Sequence, residues 1–251
     1  MLEEKNQKFV FIIFSLLALI MIFNIVSAEE VIIDSCMELN EAKTYVLNYD
    51  LNDVEGVCFN VTSNNVVLDG NDSIVKGKLS SGAVGVFLFD VKNTTILNLN
   101  LKQFFRGLVG TNIENMIFSE GTISNSESSG MEINGARDVK ISYSNFKTNT
   151  GYGLKISNTE NLEISENKFN KNGNYAGLYI WNSSNLNIKD NSFDSNIGTA
   201  ILFDYVENSI INRNNISNNN LTGIMLRSSN DNQISFNELI NNKYVKYKIV
   251  S

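Results

Sequence analysis

The sequence predicts an all-β solenoid of about seven coils, and three observations lead to this fold class. The segments DVKISYSNF, NLEISENKF, NLNIKDNSF and NSIINRNNI begin at residues 138, 161, 185 and 208, so a similar unit returns after 23, 24 and 23 residues. Apolar and polar residues alternate within each unit, a period of two that is typical of strands. Asparagine and glycine recur at fixed positions between the strands, as turns require. Such a repeat marks a solenoid in which each coil packs on its neighbours.

Three apolar rows run through the units, and we expect each row to stack along the solenoid axis. One row is Ile96, Phe118, Ile141, Ile164, Ile188, Ile211 and Ile234, and another is Leu101, Ile123, Phe146, Phe169, Phe193, Ile216 and Leu239. The third is Val86, Leu108, Met131, Leu154, Leu178, Ile201 and Ile224. The third row follows a position that is mostly glycine, at Gly85, Gly107, Gly130, Gly153, Gly177, Ala200 and Gly223. Three rows separated by turns predict a coil built from short strands.

Asparagine forms two further rows at the turns. They are Asn167, Asn191, Asn214 and Asn237, and Asn149, Asn172, Asn196, Asn219 and Asn242. Asparagine tolerates the left-handed backbone of a tight turn, and its amide both donates and accepts hydrogen bonds. Copies stacked at a strand spacing of about 4.8 Å can therefore bond to one another. We predict two asparagine ladders along the solenoid.

Residues 1–28 form a separate N-terminal segment. Two lysines precede an apolar run from Phe9 to Ile25, and Val26-Ser27-Ala28 fits a cleavage site for a signal peptide. The run is also nearly long enough to span a bilayer, so residues 9–26 could remain as an uncleaved membrane anchor. Both interpretations predict export, with the remaining chain secreted or held in the cell envelope.

Residues 29–64 lack the asparagine rows and are predicted to form an N-terminal cap on a solenoid of residues 65–251. Strand-like stretches lie at 30–33, 44–47 and 56–61. Cys36 and Cys58 are 22 residues apart, close to one coil, and an exported chain meets an oxidising compartment. We predict a disulfide between them, with two free buried thiols as the alternative.

The stretch NVVLDGNDSIVKG at 65–77, followed by N-x-x-I-x-x-N-x-F repeats, resembles the right-handed parallel β-helix proteins. These include NosD-type periplasmic proteins and carbohydrate-binding and sugar-hydrolase domains of the pectate-lyase-like fold. The resemblance covers about residues 30–250 and implies the fold. It does not imply one activity, because the matching residues are turn and core positions.

A leucine-rich repeat is the structural alternative, because Leu162 to Phe169 also satisfies part of its consensus. Such repeats usually continue from the asparagine into a helix or an extended arc. This chain instead continues with glycine and a second alternating strand, GLKIS at 153 or GLYIW at 177. The pattern therefore favours the β-helix.

The outward positions of the strand after the glycine row form the candidate ligand face. The candidate residues are Tyr179, Trp181, Asp204, Arg227, Glu132 and Lys155. Exposed aromatic rings can stack on sugars or pack on a protein partner. Asp204 and Arg227 share one slot in successive coils, as do Glu132 and Lys155, so stacked ion pairs are the alternative to a functional role. Short turns around this strand predict a flat face.

Composition restricts the function. The net charge is −7, which argues against nucleic acid as a partner. The chain has no histidine and no methionine cluster, so we expect no metal site and no cofactor. No outward row collects three acidic residues within two coils, which fits poorly with catalysis through bound Ca²⁺. We expect a non-catalytic binding or scaffold module for a polysaccharide or a cell-surface protein. A polysaccharide lyase, hydrolase or epimerase is the alternative.

Overall fold

The computed structural model describes residues 29–173, 175–244 and 247–250, and every regular element among them is a β-strand. The predicted signal peptide or anchor, residues 1–28, lies outside the described residues. No helix within the described ranges has the length and hydropathy needed to cross a membrane.

Twenty-eight short strands follow one another along the described chain. The first fourteen are β1 Glu30–Ile33, β2 Met37–Leu39, β3 Thr44–Leu47, β4 Leu51–Val54, β5 Val57–Val61, β6 Val67–Asp69, β7 Ile74–Gly77, β8 Val84–Phe89, β9 Lys92–Leu97, β10 Asn100–Lys102, β11 Arg106–Thr111, β12 Glu114–Ser119, β13 Thr122–Ser124 and β14 Met131–Asn134. The others are β15 Arg137–Ser142, β16 Asn145–Lys147, β17 Leu154–Ser157, β18 Glu160–Ser165, β19 Lys168–Asn170, β20 Ala176–Lys189, β21 Ser192–Asp194, β22 Thr199–Glu207, β23 Ile210–Asn212, β24 Asn215–Ser217, β25 Ile224–Arg227, β26 Gln233–Ser235, β27 Glu238–Ile240 and β28 Tyr247–Val250.

The strands stack in parallel as three sheets that run along the solenoid. The first sheet contains β2, β5, β8, β11, β14, β17, β25 and β28. From β8 onward, these are the strands at the glycine row. The second contains β3, β6, β9, β12, β15, β18, β23 and β26. The long strands β20 and β22 pass from the first sheet into the second. The third contains β4, β7, β10, β13, β16, β19, β21, β24 and β27.

The predicted rows are the core of the protein. Ile141, Ile164, Ile188 and Ile211 are register partners in successive strands of the second sheet, and all four are buried. In the third sheet the Phe146, Phe169 and Phe193 rings stack, with centroids 5.0 and 4.6 Å apart. Inward side chains thus repeat at the strand spacing, and each coil buries its apolar face between its two neighbours.

The asparagine ladders are present where the sequence predicts them. Asn167 Nδ2 donates to Asn191 Oδ1 over 3.1 Å, and Asn191 Nδ2 donates to Asn214 Oδ1 over 3.0 Å. Asn214 continues this ladder to Asn237, and the second ladder links Asn149, Asn172, Asn196, Asn219 and Asn242 in the same way. The ladders satisfy turn backbone groups that would otherwise be buried without partners.

The solenoid has about nine coils, because its third sheet contains nine strands within the described residues. The prediction of about seven counted only coils with the full set of rows. The predicted strands of residues 29–64 join the same sheets, since β3 pairs with β6 and β5 with β8. Cys36 and Cys58 form the predicted disulfide, with Cα atoms 4.4 Å apart. The division at residue 64 into cap and solenoid stays a prediction.

Candidate functional site

The candidate ligand face is the outer surface of the first sheet. Lys155, Tyr179 and Asp204 point away from the core and are half-buried, and the Trp181 side chain is 39% exposed. Lys155 pairs with Tyr179 and Ser157 with Trp181, while Tyr179 and Trp181 pair with Leu202 and Asp204 in the next coil. Strand alternation therefore directs these candidate side chains to one surface.

Three tyrosines on this face form a stack. The Tyr152 ring lies 5.2 Å from the Tyr175 ring and 5.1 Å from the Tyr179 ring, measured between centroids. Burial raises the pKa of the Tyr152 and Tyr179 phenols, and the Asp204 carboxylate raises that of Tyr179 further. Sequence reasoning missed Tyr152 and Tyr175, which precede their strands. Their separation of 23 residues, one coil, is the signal that identifies them.

Asp204 lies between the tyrosine stack and a cation. Arg227 Nη2 donates to Asp204 Oδ2 over 2.8 Å, and the Tyr179 hydroxyl lies 3.4 Å from the same oxygen. The structure thus contains the ion pair expected from the shared slot. The arrangement fixes one carboxylate beside aromatic rings, which suits the recognition of hydroxyl groups on a ligand.

Glu132 and Lys155 also occupy partner positions, but they do not form the ion pair expected of them. Arg106 Nη1 donates to Glu132 Oε2 over 3.3 Å, and the Ser129 hydroxyl donates to Glu132 Oε1 over 2.9 Å. Both carboxylate oxygens of Glu132 therefore accept hydrogen bonds from Arg106 and Ser129 and not from Lys155. The Lys155 ammonium instead lies 5.9 Å from the centroid of the Tyr152 ring, within cation–π range.

A larger cavity of about 980 Å³ lies beside this face, where the chain turns from the first sheet into the second. We call it the corner groove. Its lining includes one residue with positive φ from each of seven successive coils: Asp90, Asn112, Gly135, Asn158, Asn182, Tyr205 and Ser228. Six coil steps of ~4.8 Å give it a length of about 29 Å. The face itself has a hollow of about 210 Å³ beside Glu132 and Lys155. The flat face that the short turns suggest stays a prediction.

Amide and charged side chains both line the corner groove. Asn182 Nδ2 donates to Asn158 Oδ1, and Asn158 Nδ2 donates to Asn134 Oδ1, each over 2.7 Å. The Lys92 ammonium lies 2.6 Å from a Glu114 carboxylate oxygen, and their hydrogen bond lowers the pKa of Glu114. No repeated residue type in the sequence identifies the groove, because the row at its corner changes between Asp, Asn, Gly, Tyr and Ser from coil to coil.

Ligand chemistry on these surfaces rests on amides, hydroxyls, aromatic rings and paired charges. No group of three histidine, cysteine, aspartate or glutamate side chains is placed to hold a metal ion anywhere in the described ranges.

One family of known proteins matches most of this chain. The family described as "Right handed beta helix region" matches residues 54–202 and 172–250. The chain belongs to this family. Its solenoid is therefore a right-handed β-helix, as the sequence resemblance implied. Comparison with the curated proteins finds no match.

Several solved β-helices are similar in structure. The Dettilon tailspike protein has a TM-score of 0.67 at 14% identity, over 80% of this chain and 46% of that one. A mutant of the periplasmic alginate epimerase AlgG has a TM-score of 0.56 at 12% identity, over 84% and 64%. The DFA-IIIase from Arthrobacter chlorophenolicus A6, in complex with DFA-III, has a TM-score of 0.56 at 12% identity, over 77% and 61%. This chain spans less than two thirds of each, and the likeness concerns the fold alone.

Proposed function

We propose that this β-helix is a non-catalytic module that binds a polysaccharide outside the cell. The observation that carries the proposal is the aromatic cluster of Tyr152, Tyr175, Tyr179 and Trp181 on the first sheet. Tyr175 is 62% exposed and Trp181 is 39% exposed, so aromatic surface remains open to a ligand. Aromatic side chains beside polar groups are suited to stacking on sugar rings.

The corner groove supports a chain-like ligand. It adjoins the aromatic cluster, because Asn182 follows Trp181 and Tyr205 follows Asp204 in the sequence, and both line the groove. The amide ladder and the charged pairs within it offer donors and acceptors over a length of several sugar units. A linear glycan fits this shape better than a compact small molecule.

Export is part of the proposal and has two supports. Residues 1–28 have the pattern of a signal peptide or anchor. Cys36 and Cys58 form a disulfide, a bond that persists in oxidising compartments. The tailspike and epimerase neighbours fit a polysaccharide partner.

Glycan-array binding with the Tyr179→Ala/Trp181→Ala double variant tests the proposal. Losing two aromatic contacts should weaken binding about fivefold or more, since each is worth ~0.5–1.5 kcal/mol. Tyr49→Ala/Phe236→Ala, which removes two exposed aromatic residues outside the first sheet, is the matched control and should bind like the parent. Equal binding by the parent and the first double variant would refute the aromatic site.

The same proteins separate binding from catalysis. We expect no new reducing ends and no unsaturated products after incubation with the bound glycans. Products that disappear in Asp204→Ala or Arg227→Ala would establish the alternative, a polysaccharide-active enzyme, and exclude a non-catalytic module.

A further inference from the structure

The outer face of the third sheet carries four lysines: Lys76 in β7, Lys102 in β10, Lys147 in β16 and Lys168 in β19. Lys102, Lys147 and Lys168 are exposed and Lys76 is half-buried. Within the described residues, none of the four ammonium groups has a hydrogen bond, an ion pair or an aromatic ring as a partner. This is a concentration of unpaired positive charge on a protein of net charge −7.

Seven other cationic side chains on the solenoid are paired with a carboxylate of a neighbouring coil, while Lys140 and Lys171 also lack an ion pair within the described residues. Seven ion pairs of this kind occur in the described residues, with N···O distances of 2.6 to 3.9 Å: Glu55–Lys78, Lys92–Glu114, Arg106–Glu132, Arg137–Glu160, Glu163–Lys189, Asp190–Arg213 and Asp204–Arg227. The four lysines depart from this pattern. Cross-strand pairing of opposite charges is favourable, so its absence on one face calls for another counter-charge.

Two of the lysines oppose each other directly. Lys102 is the register partner of Lys76 in the adjacent strand, about 4.8 Å away along the axis, and like charges placed opposite in a sheet are destabilising. Ser124 is the register partner of Lys102 in the next coil, and Lys147 is the partner of Ser124 in the coil after that. Lys168 lies one coil further, as the partner of Asn145, on the other side of the inward phenylalanine row. The four charges therefore follow the solenoid axis over about 19 Å, or four coil steps of ~4.8 Å.

Two hollows with both polar and apolar lining lie between these lysines. One of about 390 Å³ is lined by Lys102 and Lys147 with Asn100, Thr122, Asn125, Asp72 and the apolar Ile74. Another of about 480 Å³ is lined by Lys147 and Lys168 with Asn145, Asn170 and Asp194. The Asp194 oxygens already accept hydrogen bonds from Asn170, Ser195, Ser217 and Asn218. The free donors on this face are therefore mainly cationic, with amide and hydroxyl groups between them.

We propose that the outer face of the third sheet is a second binding surface, for a linear anionic polysaccharide lying along the solenoid axis. Single negative charges spaced along such a chain meet the lysine file, and its hydroxyl groups meet the asparagine and threonine side chains of the hollows. This surface is separate from the aromatic cluster on the first sheet and does not depend on it. Lysine suits this role because its ammonium is a point charge on a flexible stem.

The test compares two triple variants with the same change in net charge. Lys102→Gln/Lys147→Gln/Lys168→Gln removes the proposed surface, and Lys140→Gln/Lys189→Gln/Lys243→Gln removes three lysines that lie outside the third sheet and outside the corner groove. Binding of the full chain to polygalacturonate, alginate and dextran sulfate is measured by calorimetry over a range of salt concentrations. The first variant should lose at least about tenfold in affinity, and its salt slope should fall by about 2 to 3. The control should stay within about twofold of the parent.

Three outcomes would overturn the proposal. They are no binding of the parent to any of the three polyanions, equal binding by both triple variants, or loss of polyanion binding in Tyr179→Ala/Trp181→Ala with retention in the third-sheet variant. If the parent binds duplex DNA or vesicles containing phosphatidylserine as tightly as it binds these polysaccharides, the surface is not specific for a polysaccharide and the proposal fails. Binding that persists in the aromatic variant and fails in the third-sheet variant supports this surface alone.

Discussion

The buried asparagines act as connectors between coils. Asn191 Nδ2 donates to the carbonyl oxygens of Ile164 and Lys189 as well as to Asn214, and Asn191 Oδ1 accepts from the backbone and side-chain nitrogens of Asn167. One side chain thus satisfies groups in three coils. Removing it leaves several buried polar atoms without partners, which costs far more than a surface hydrogen bond contributes.

Asn191→Ala should therefore lower the free energy of unfolding by roughly 2–4 kcal/mol. Asn215→Ala is the matched control, because Asn215 is exposed in β24 and its backbone stays paired with Asn191. The control should stay within about 0.5 kcal/mol of the parent. Urea unfolding followed by circular dichroism measures both variants, and equal stability of the two would contradict a structural role for the ladder.

The ladders were predictable because asparagine marks its own turn slots. The residues with positive φ at the corner were less so, since the row includes Tyr205 and Ser228 as well as Asn158 and Asn182. A tyrosine in a left-handed conformation leaves no compositional signal. The corner groove follows from these residues and was missed for that reason. Sequence spacing places Glu132 opposite Lys155, but it does not predict the direction of a long side chain. The ion pair between Arg106 and Glu132 could therefore not be predicted.

The glycine row allows the strands of the first sheet to pack against the second asparagine ladder. A Cβ at Gly153 would lie 2.6 Å from the Gly177 carbonyl oxygen and 2.8 Å from Asn172 Nδ2. A Cβ at Gly177 would lie 3.0 Å from the Ala200 carbonyl oxygen and 3.1 Å from Asn196 Nδ2. The space beside the row therefore increases from Gly153 to Gly177, and the next member of the row is an alanine, Ala200.

Gly153→Ala should destabilise the protein by roughly 1–3 kcal/mol, because a backbone oxygen and a buried ladder residue must both shift. Gly177→Ala makes the same chemical change where there is more room, so we expect a clearly smaller loss. Chemical denaturation of the two variants side by side gives the comparison. A larger loss at Gly177 than at Gly153 would show that these contacts do not control the strand spacing.

Strand positions were predictable from the period of two, but strand lengths were not. β20 runs from Ala176 to Lys189 and β22 from Thr199 to Glu207, where the sequence pattern suggests separate short strands. Asn182 and Tyr205 turn the backbone within these strands while pairing continues on both sides. A period of two predicts extended strands, but it does not predict the position of a single residue with positive φ.

The N-terminal coils have a covalent support that the others lack, since Cys36 and Cys58 are the only cysteines in the chain. Solenoid coils contact only their neighbours, so the effect of the bond should be regional. Cys36→Ser/Cys58→Ser should remove about 3 kcal/mol of stability. Hydrogen exchange should show reduced protection first in β2, β3 and β5, with β16 and β19 unchanged. Uniform loss of protection along the chain would contradict independent regional opening.

The fold was predictable because repetition multiplies each weak signal: seven copies of one row define a core position better than any single residue does. The first two coils carry incomplete rows, which is why the sequence predicted too few. Binding surfaces lack this advantage. Outward side chains such as Trp181 or Lys102 differ from coil to coil, so their grouping emerges only when register places them together.

The constant step between coils also governs how a polymer could travel along the protein. A ligand moved by one coil meets the same backbone and differs only in the outward side chains beneath it. For a polysaccharide bound as we propose, the binding free energy would therefore change little from one coil to the next and would be most favourable where Tyr179 and Trp181 lie. Such a profile would let the polymer slide by single coil steps and halt at the aromatic residues.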